Sequence, residues 1–403
     1  MNVDELQVSM KDVARFSIMR QHLSGTSPKY ADDKSKILDV FKDIKYIQLD
    51  PTNVVERSHN LTLWSRIGKF HRQSLQDLIY RERRLVEFYA HSATISINGD
   101  LPLLRMGMQE RRELILRTRP ELKKHVKDIK RQIEVSGPLI SSKLSELKTN
   151  VALGGWGHER KVNLLLDLMH RMGDIAICGR TPSNQKVWDN SENFFREPEF
   201  SNPVDRTEAE KQTFLNSLGA LGIASRDQVV GHYIPMRISN AMETVRALLE
   251  ESLIIPVKIS IPDSSRAKTW YIRREDVSNL EKAGRAWKKK STLLSPFDNL
   301  TIDRKRTMEI FNFDGRMELY VPKNKRKYGF YTMPFLYGER IVGRIDPLLD
   351  RKKKTLKVNA IHDEGNNFSN PEIKKKLLSS IDSLAEFLQA DSVELPDHIE
   401  RHN

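Results

Sequence analysis

The chain has 403 residues, 38% of them hydrophobic, which is typical of roughly two to four packed domains and argues against a disordered protein. Lysine and arginine outnumber aspartate and glutamate by 67 to 54, a formal net charge of +13. That excess favours nucleic acid or an anionic membrane surface as a partner, although a merely basic soluble protein would have the same balance. The single cysteine, Cys178, excludes an internal disulfide, a multi-cysteine zinc site and a cysteine-ligated iron–sulfur cluster.

Neither a membrane span nor a secretion signal is apparent. No apolar run approaches the ~20 residues that a spanning helix needs. The first residues, MNVDELQVSMKD, lack the apolar centre of a signal peptide. We therefore expect a cytoplasmic protein without a membrane partner.

The first ninety residues predict three helices around one extended segment. Ser9 is a candidate N-cap with Asp12 at the capping-box spacing, and apolar residues follow at helical intervals. A second helix is expected to run to about Phe41. A third amphipathic helix, SLQDLIYRERRL, leads into VEFYAHSATISI.

The extended segment KYIQLDP carries a polar pair, Gln48 and Asp50. Side chains alternate along a strand, so these two should project together, with Ile47 and Leu49 on the other face. A Gln-any-Asp pattern arises by chance in a chain of this length, so the spacing alone does not indicate a function.

The centre of the chain predicts two units in which a helix precedes a β-hairpin. The first helix, ERKVNLLLDLMHRM, is followed by GDIAICG, the turn RTPSN and QKVWD. About 80 residues later, SNAMETVRALLEES is followed by LIIPVKI, a turn and TWYIR. This order is typical of tandem winged helices, which contact DNA in some proteins and other proteins in others. The residues expected to be buried are Val162, Leu165, Leu166 and Met169 in the first helix, and Met242, Val245, Leu248 and Leu249 in the second.

Residues 284–354 contain 18 Lys/Arg against 8 Asp/Glu, and ten of the thirty aromatic residues. The runs MELYVP, YGFYTMPFLY, RIVGRID and KTLKVNAI predict short strands separated by basic or glycine-containing turns, and hence a small antiparallel barrel. The aromatic rings could form its core or stack on nucleic-acid bases. Asn370 and Pro371 predict the start of a final amphipathic helix.

Several chemistries lack their motifs. There is no GxxxxGK[ST] phosphate loop, no HExxH and no cysteine–histidine ligand spacing, so we expect no metal and no cofactor. Asp346 and Asp350 are the nearest candidates for a nuclease metal site, with strand capping as the alternative. The polar loop around His59 contains plausible phosphate ligands, or it is simply a surface loop.

Three separated stretches together resemble one family. Residues 46–68, 86–95 and 295–346 read YIQLDPTNVVERSHNLTLWSRIG, VEFYAHSATI, and SPFDNLTIDRKRTMEIFNFDGRMELYVPKNKRKYGFYTMPFLYGERIVGRID. They resemble the winged-helix DNA glycosylases that unhook interstrand crosslinks, the YcaQ/AlkZ family. The family's catalytic signature is Gln, an apolar residue, then Gln or Asp, so the resemblance implies that Gln48 and Asp50 are catalytic and that this is the Asp-bearing subtype.

The resemblance also implies an α+β fold with three tandem winged-helix units, a helical segment and a C-terminal small antiparallel β-barrel. We expect the divisions 1–95 (first winged helix), 96–135 (helical segment), 136–200 and 201–283 (second and third winged helices), 284–362 (basic barrel) and 363–403 (amphipathic helix and tail).

The expected activity is that of a monofunctional DNA glycosylase acting on N7-alkylated guanine, including crosslinked guanine, in double-stranded DNA. Asp50 would act as general base and electrostatic stabiliser, and Gln48 would hold the water or the sugar. We expect a monomer that works in a prokaryotic cytoplasm, associated with the nucleoid when bound to DNA. The alternatives are a non-catalytic winged-helix regulator and a structure-specific nuclease. The expected DNA contacts are Asn53, Arg57, Ser58, His59, Arg66, Arg304, Lys305, Arg306, Lys323, Lys325, Arg326, Lys327 and Arg344.

Overall fold

The computed structural model describes residues 6–25, 32–90, 92–144, 158–195, 204–260, 268–285 and 287–402. The chain divides into two compact units. One contains 1–75, 214–233 and 240–403, and the other contains 76–213 and 234–239. None of the helices in the described ranges is both long and apolar enough to span a membrane.

The N-terminus forms strand β1 (Leu6–Ser9) and helix α1 (Met10–Arg20). The predicted capping box is present, because the Ser9 hydroxyl accepts from the Asp12 backbone N–H and the Asp12 carboxylate accepts from the Ser9 N–H. This exchange satisfies two of the backbone donors that a helix start leaves unpaired.

A helix, a short strand, two helices and a β-hairpin then follow one another three times, which is the element order of a winged helix. The first series is α2 (Asp33–Ile44), β2 (Tyr46–Gln48), α3 (Ser58–Ile67), α4 (Arg72–Gln76, continued by a π-helical turn Asp77–Arg81), β3 (Leu85–Tyr89) and β4 (Ala93–Ile97). Helix α5 (Leu101–Thr118) separates it from the second series.

The second series is α6 (Leu122–Ser136), β5 (Leu139–Ile140), α7 (Ser141–Leu144), α8 (His158–Met172), β6 (Ile175–Arg180) and β7 (Lys186–Asn190), ending in α9 (Ser191–Phe194). The third is α10 (Arg206–Leu221), β8 (Ala224–Ser225), α11 (Arg226–His232), α12 (Ala241–Glu250), β9 (Ile254–Ser260) and β10 (Trp270–Arg273), ending in α13 (Val277–Arg285). The second series has an antiparallel sheet in the order β5-β7-β6, and in the third β1 joins by parallel pairing to give β1-β9-β10-β8.

The predicted buried face of α8 is confirmed, because Val162, Leu165, Leu166 and Met169 are all at most 2% exposed. In α12 the prediction is wrong for Met242, which is 61% exposed. That helix begins at Ala241, so Met242 lies in its first turn, next to the cap, before the helix reaches the core. Val245 and Leu248 are buried, and Leu249 is half-buried.

The C-terminal region contains a six-stranded sheet. Its elements are β11 (Ser291–Leu293), α14 (Arg304–Phe311), β12 (Met333–Tyr337), β13 (Arg340–Asp350), β14 (Thr355–Glu364), α15 (Pro371–Leu388), β15 (Ser392–Glu394) and β16 (Glu400–His402). Strands β11 to β14 are antiparallel neighbours, whereas β15 and β16 both pair with β14 in parallel. Asn370 caps α15 as predicted, with Pro371 in the first turn.

The α+β class is therefore confirmed, and two details differ from the predicted barrel. The sheet is open, a half-barrel, and it is mixed because of its last two strands. The run MELYVP is not a strand, since the Glu318 carboxylate is buried and bonds to backbone N–H groups of residues 327–329. The six-part domain division stays a prediction.

One buried ion pair joins α3 to the segment between β11 and α14. Arg66 Nη1 and Nη2 donate to Asp298 Oδ2 and Oδ1 at 2.7 and 2.9 Å, and both side chains are fully buried. Arg66 also donates to Gln21 Oε1 at 2.9 Å, and Lys290 Nζ donates to the Arg66 carbonyl oxygen at 2.8 Å. A buried charge pair needs this degree of hydrogen bonding to offset its desolvation.

Replacing Asp298 by Asn should destabilise the protein strongly, because the Arg66 cation would remain buried without a counter-charge. The expected loss is about 3–5 kcal/mol of unfolding free energy. Urea unfolding followed by tryptophan fluorescence measures it. The control is Glu386→Gln in the exposed Lys69–Glu386 pair, which should cost less than about 1 kcal/mol. Equal losses in the two variants would contradict the role given to the buried pair.

Candidate active site

Gln48 and Asp50 lie at the point where β2 ends and the chain turns toward α3. The Ser58 hydroxyl, in the first turn of α3, donates to the Gln48 carbonyl oxygen at 3.0 Å. The same hydroxyl accepts from the Asp50 backbone N–H at 3.1 Å. A single buried side chain therefore fixes the backbone on both sides of Leu49.

Asp50 is 7% exposed, and its carboxylate shapes the turn that follows. Oδ1 accepts from the Thr52 backbone N–H at 2.8 Å, the hydrogen bond of an Asx turn, with Pro51 between them. Oδ2 makes no hydrogen bond to a residue in the described ranges. Oδ1 is thus bonded within the turn, and Oδ2 is available for a further contact.

The regular strand alternation predicted for this segment does not extend to Asp50. Strand β2 ends at Gln48, and Leu49 is half-buried, not enclosed opposite the polar pair. The Asx turn and the Ser58 bridge determine the backbone here, which sequence periodicity does not report.

The segment Ser295–Asn299 holds the site from the side of the C-terminal sheet. Asn299 Nδ2 donates to the carbonyl oxygen of Tyr46 in β2 at 2.7 Å. Its neighbour Asp298 forms the ion pair with Arg66 at the far end of α3. Two adjacent residues thus fix the strand before the motif and the helix after it.

The Tyr331 phenol lies within electrostatic range of both Asp50 and Glu56. Burial raises the pKa of the Tyr331 hydroxyl, and the negative charges of Asp50 and Glu56 raise it further, so this phenol stays neutral. Burial alone would raise the pKa of Glu56, but the Arg57 N–H and the Arg72 guanidinium lower it, so this carboxylate stays ionised. A neutral phenol therefore lies within electrostatic range of Asp50.

A basic turn of the half-barrel is hydrogen-bonded to the loop after the motif. Arg351 donates to Asn53 Oδ1 at 2.8 Å and to the Val55 carbonyl oxygen at 3.0 Å. Asp350 Oδ1 caps the turn by accepting from the backbone N–H groups of Lys352 and Lys353. The side chains of 351–354 are all exposed. Arg351 thus anchors an exposed basic turn to the loop that follows Asp50.

A second basic segment, Lys323–Lys327, is held by a buried acid. The Glu318 carboxylate accepts from the backbone N–H groups of Lys327, Tyr328 and Gly329. Burial alone would raise the pKa of Glu318, but these three hydrogen bonds lower it and keep the carboxylate charged. Lys323, Lys325 and Lys327 remain exposed, and Arg326 is half-buried with its guanidinium over the Phe330 ring.

Four of the predicted DNA contacts are internal. Ser58 is 0% exposed and bridges the motif, and Arg66 is paired with Asp298. Arg306 is 4% exposed and donates to Gln228, Ser17 and the Leu221 carbonyl. Arg344 is 2% exposed, paired with Glu364 and packed over Tyr328. Their role as phosphate ligands is corrected here, because the groups that would bind phosphate already serve the fold.

The other predicted contacts are accessible. Arg304 and Lys305 are exposed at the start of α14, and Asn53 is exposed with its amide oxygen held by Arg351. Arg57 and His59 are half-buried around the first turn of α3, and the Arg57 guanidinium has no ion-pair partner in the described part of the chain. The accessible set is Asn53, Arg57, His59, Arg304, Lys305, Lys323, Lys325, Arg326 and Lys327.

Asp346 and Asp350 do not form a metal site together. Asp346 Oδ1 accepts from the Tyr331 backbone N–H at 2.9 Å, and Asp350 caps the basic turn. Each carboxylate thus has a capping role, the alternative that the sequence left open.

Comparison with known proteins decides the family. The model of the family described as DNA glycosylase AlkZ-like matches residues 41–387, most of the chain. The chain belongs to the AlkZ-like DNA glycosylase family. This AlkZ-like protein is therefore a hydrolase that acts on DNA in repair, and the predicted resemblance is confirmed. The solved structure of Streptomyces sahachiroi DNA glycosylase AlkZ is similar at a TM-score of 0.64 and 15% identity, covering 97% of this chain and 100% of that one, which shows the shared fold.

Sequence reasoning missed two features of this AlkZ-like glycosylase. Tyr331 was one of ten aromatic residues in a predicted barrel, and no local pattern separated it from its neighbours. The turn 351–354 was visible as the run RKKK, but its position beside the motif loop depends on the β13–β14 hairpin. The charge density of RKKK could have indicated the basic turn. Nothing in the sequence could have indicated the position of Tyr331.

Ser58→Ala should lower glycosylase activity by about tenfold or more, because small displacements of reacting groups are costly. The substitution removes one hydroxyl and frees the backbone on both sides of Leu49. Single-turnover base release measures the effect. The control is Ser380→Ala, which removes another buried hydroxyl that bonds within α15 and should leave the rate unchanged. An unchanged rate in Ser58→Ala would show that the bridge does not position the motif.

Proposed function

We propose that this glycosylase hydrolyses the N-glycosidic bond of N7-alkylated guanine in duplex DNA, and that it unhooks interstrand crosslinks formed through that atom. The observation that carries the proposal is that the backbone of Gln48 and Asp50 is fixed by Ser58, in a chain of this family, with the neutral Tyr331 phenol within electrostatic range of Asp50. We further propose that it acts as a monomer in the cytoplasm of a prokaryote, on nucleoid DNA.

The chemistry of the leaving group explains why a carboxylate and an amide are enough. Alkylation at N7 makes guanine cationic, so the base leaves without being protonated and no general acid is needed. The reaction then requires stabilisation of a sugar with oxocarbenium character and delivery of a water molecule. An ionised carboxylate serves both purposes.

Each residue has a definite part in this proposal. Asp50 Oδ2 accepts a proton from the attacking water and stabilises the positive sugar, while Oδ1 keeps the side chain in place through Thr52. The Gln48 side chain hydrogen-bonds the water or the sugar. Ser58 holds the Gln48 backbone and so keeps this side chain in position. No lysine in the described ranges is bonded to the side chain of Gln48 or Asp50, so we propose a monofunctional enzyme, which forms no Schiff base and does not cleave the strand.

In this proposal, two basic segments bind the DNA phosphates. The turn 351–354 lies beside the motif loop, and the segment Lys323–Lys327 leads within four residues to Tyr331. Arg57 and His59 add polar groups in the first turn of α3. A crosslinked guanine is tethered to both strands and cannot rotate far out of the helix, so exposed basic segments suit such a substrate better than a deep pocket.

Asp50→Asn should reduce base release by about 10²–10⁴-fold, because the amide can neither accept the proton nor carry the negative charge. Gln48→Ala should also reduce it. The assay uses duplexes with N7-methylguanine or a nitrogen-mustard crosslink, incubated with a chelator. Free base and abasic sites are the expected products.

The matched control is Asp382→Asn, an exposed carboxylate on α15, which should retain the wild-type rate. Binding of the lesion duplex should stay within a few-fold of wild type in Asp50→Asn. Full activity of Asp50→Asn would refute the mechanism. Binding without product by the wild type would indicate a non-catalytic regulator, and magnesium-dependent nicks would indicate a nuclease.

DNA affinity should fall steeply with salt, by ~0.9 in log–log slope for each phosphate contact. Lys323→Gln combined with Lys325→Gln should therefore lower the slope by about 1.8 if both contact phosphates. Fluorescence anisotropy over a range of salt concentrations measures the slope. Lys374→Gln combined with Lys375→Gln, both exposed on α15, makes the same charge change and should leave the slope unaltered.

A further inference from the structure

Two histidines and a glutamate meet where β16 lies beside β14. The strands are parallel, with His362 opposite Glu400 and Glu364 opposite His402. Glu400 and His402 are two residues apart, so they share one face of β16. The register therefore brings together three side chains that are separated by up to 40 positions in the chain.

Their donor atoms are at metal-site distances. His362 Nδ1 lies 2.9 Å from His402 Nε2 and 3.1 Å from Glu400 Oε2, and His402 Nε2 lies 4.0 Å from Glu400 Oε2. Ligands at about 2.0–2.2 Å from a tetrahedral zinc ion are roughly 3.3–3.6 Å apart. Shifts of a few tenths of an ångström would accommodate an ion between them.

The other nitrogen of His362 fixes the ring in the form that binds metal. Nε2 lies 2.7 Å from the Tyr328 carbonyl oxygen, which can only accept, so Nε2 carries the proton. Nδ1 then presents its lone pair to Glu400 and His402. A backbone carbonyl that holds the far ring nitrogen is the usual outer partner of a metal-ligating histidine. Burial also lowers the pKa of His362, which favours the neutral ring.

The surroundings balance the positive charge nearby. Arg344 lies over the Tyr328 ring at 3.8 Å but is neutralised by Glu364 at 2.6 Å. The Tyr328 ring meets both imidazoles edge-on, at 5.4 and 5.1 Å between centroids. One carboxylate, Glu400, and two imidazoles remain to face a cation.

We propose that His362, Glu400 and His402 bind a divalent transition-metal ion, with Zn²⁺ as the natural occupant. Two imidazole nitrogens and one carboxylate oxygen suit zinc better than magnesium or calcium, which prefer oxygen ligands. A water molecule completes the coordination. This revises the expectation, drawn from the sequence, that the chain holds no metal.

The ion has a structural role in this proposal. It fastens the three-residue strand β16 to β14 and, through the Tyr328 carbonyl, steadies the basic segment Lys323–Lys327 that Glu318 holds from the other side. The inference does not depend on the proposed chemistry at Asp50, because its readouts are metal binding and stability.

The test uses the full chain without a polyhistidine tag, stripped with a chelator. Zn²⁺ is titrated in competition with a chromophoric chelator, and native mass spectrometry gives the stoichiometry. The expected result is one zinc per chain and a rise in the melting temperature of a few degrees at saturating zinc. Co²⁺ should give the intense visible bands of tetrahedral coordination.

The variants are His402→Gln and Glu400→Gln, because loss of the buried His362 could unfold the sheet. Each should weaken zinc binding by at least about tenfold and abolish the thermal shift. His398→Gln, an exposed histidine four residues before His402, is the control and should bind like the wild type. Absence of stoichiometric zinc in the wild type, or wild-type affinity in His402→Gln, would overturn the proposal and leave a hydrogen bond between the two rings.

Discussion

The buried ion pair between Arg66 and Asp298 is the constraint on which the site depends. It holds the C-terminal end of α3, while Ser58 at the other end of that helix holds the backbone of Gln48 and Asp50. Asn299, next to Asp298, holds the strand before the motif. Because the Arg66–Asp298 pair is fully buried, the helix cannot shift without unpairing a charge. The catalytic candidates are therefore positioned by residues almost 250 positions away.

Buried or capping acids also organise the basic surface. Glu318 gathers three backbone N–H groups behind Lys323–Lys327, and Asp350 closes the turn that presents residues 351–354. In both cases the carboxylate accepts hydrogen bonds from backbone N–H groups and not from the cationic side chains of the segment. Those side chains therefore remain available to an anionic partner. Arg306 and Arg344 show the reverse, since their guanidinium groups stabilise the interior. Net charge alone does not distinguish these two uses of arginine.

The local chemistry and the proposed substrate agree. A cationic leaving group needs no protonation, and the Asp50 carboxylate lies on a fixed backbone within electrostatic range of the neutral Tyr331 phenol. The basic turn lies against the loop after the motif, so binding of DNA and the reaction would occur on the same part of the molecule. The proposed zinc site fits the same plan, because it would stiffen one of the two basic segments.

The sequence by itself determined the capped first and last helices and the buried face of α8, because capping and periodicity act over a few neighbouring residues. The α+β class followed from the order of the predicted elements, and the family resemblance of the sequence singled out the motif Gln48-Leu49-Asp50. The sequence did not determine that MELYVP is not a strand, that Met242 is exposed, or that Arg66, Arg306 and Arg344 are internal. Burial and ion pairing depend on partners far away in the chain, so the local sequence does not show whether an arginine binds DNA or forms an internal ion pair. Only the tertiary structure brought Tyr331, the turn 351–354 and the cluster of His362, Glu400 and His402 into place, because strand register and long-range packing decide which distant side chains meet.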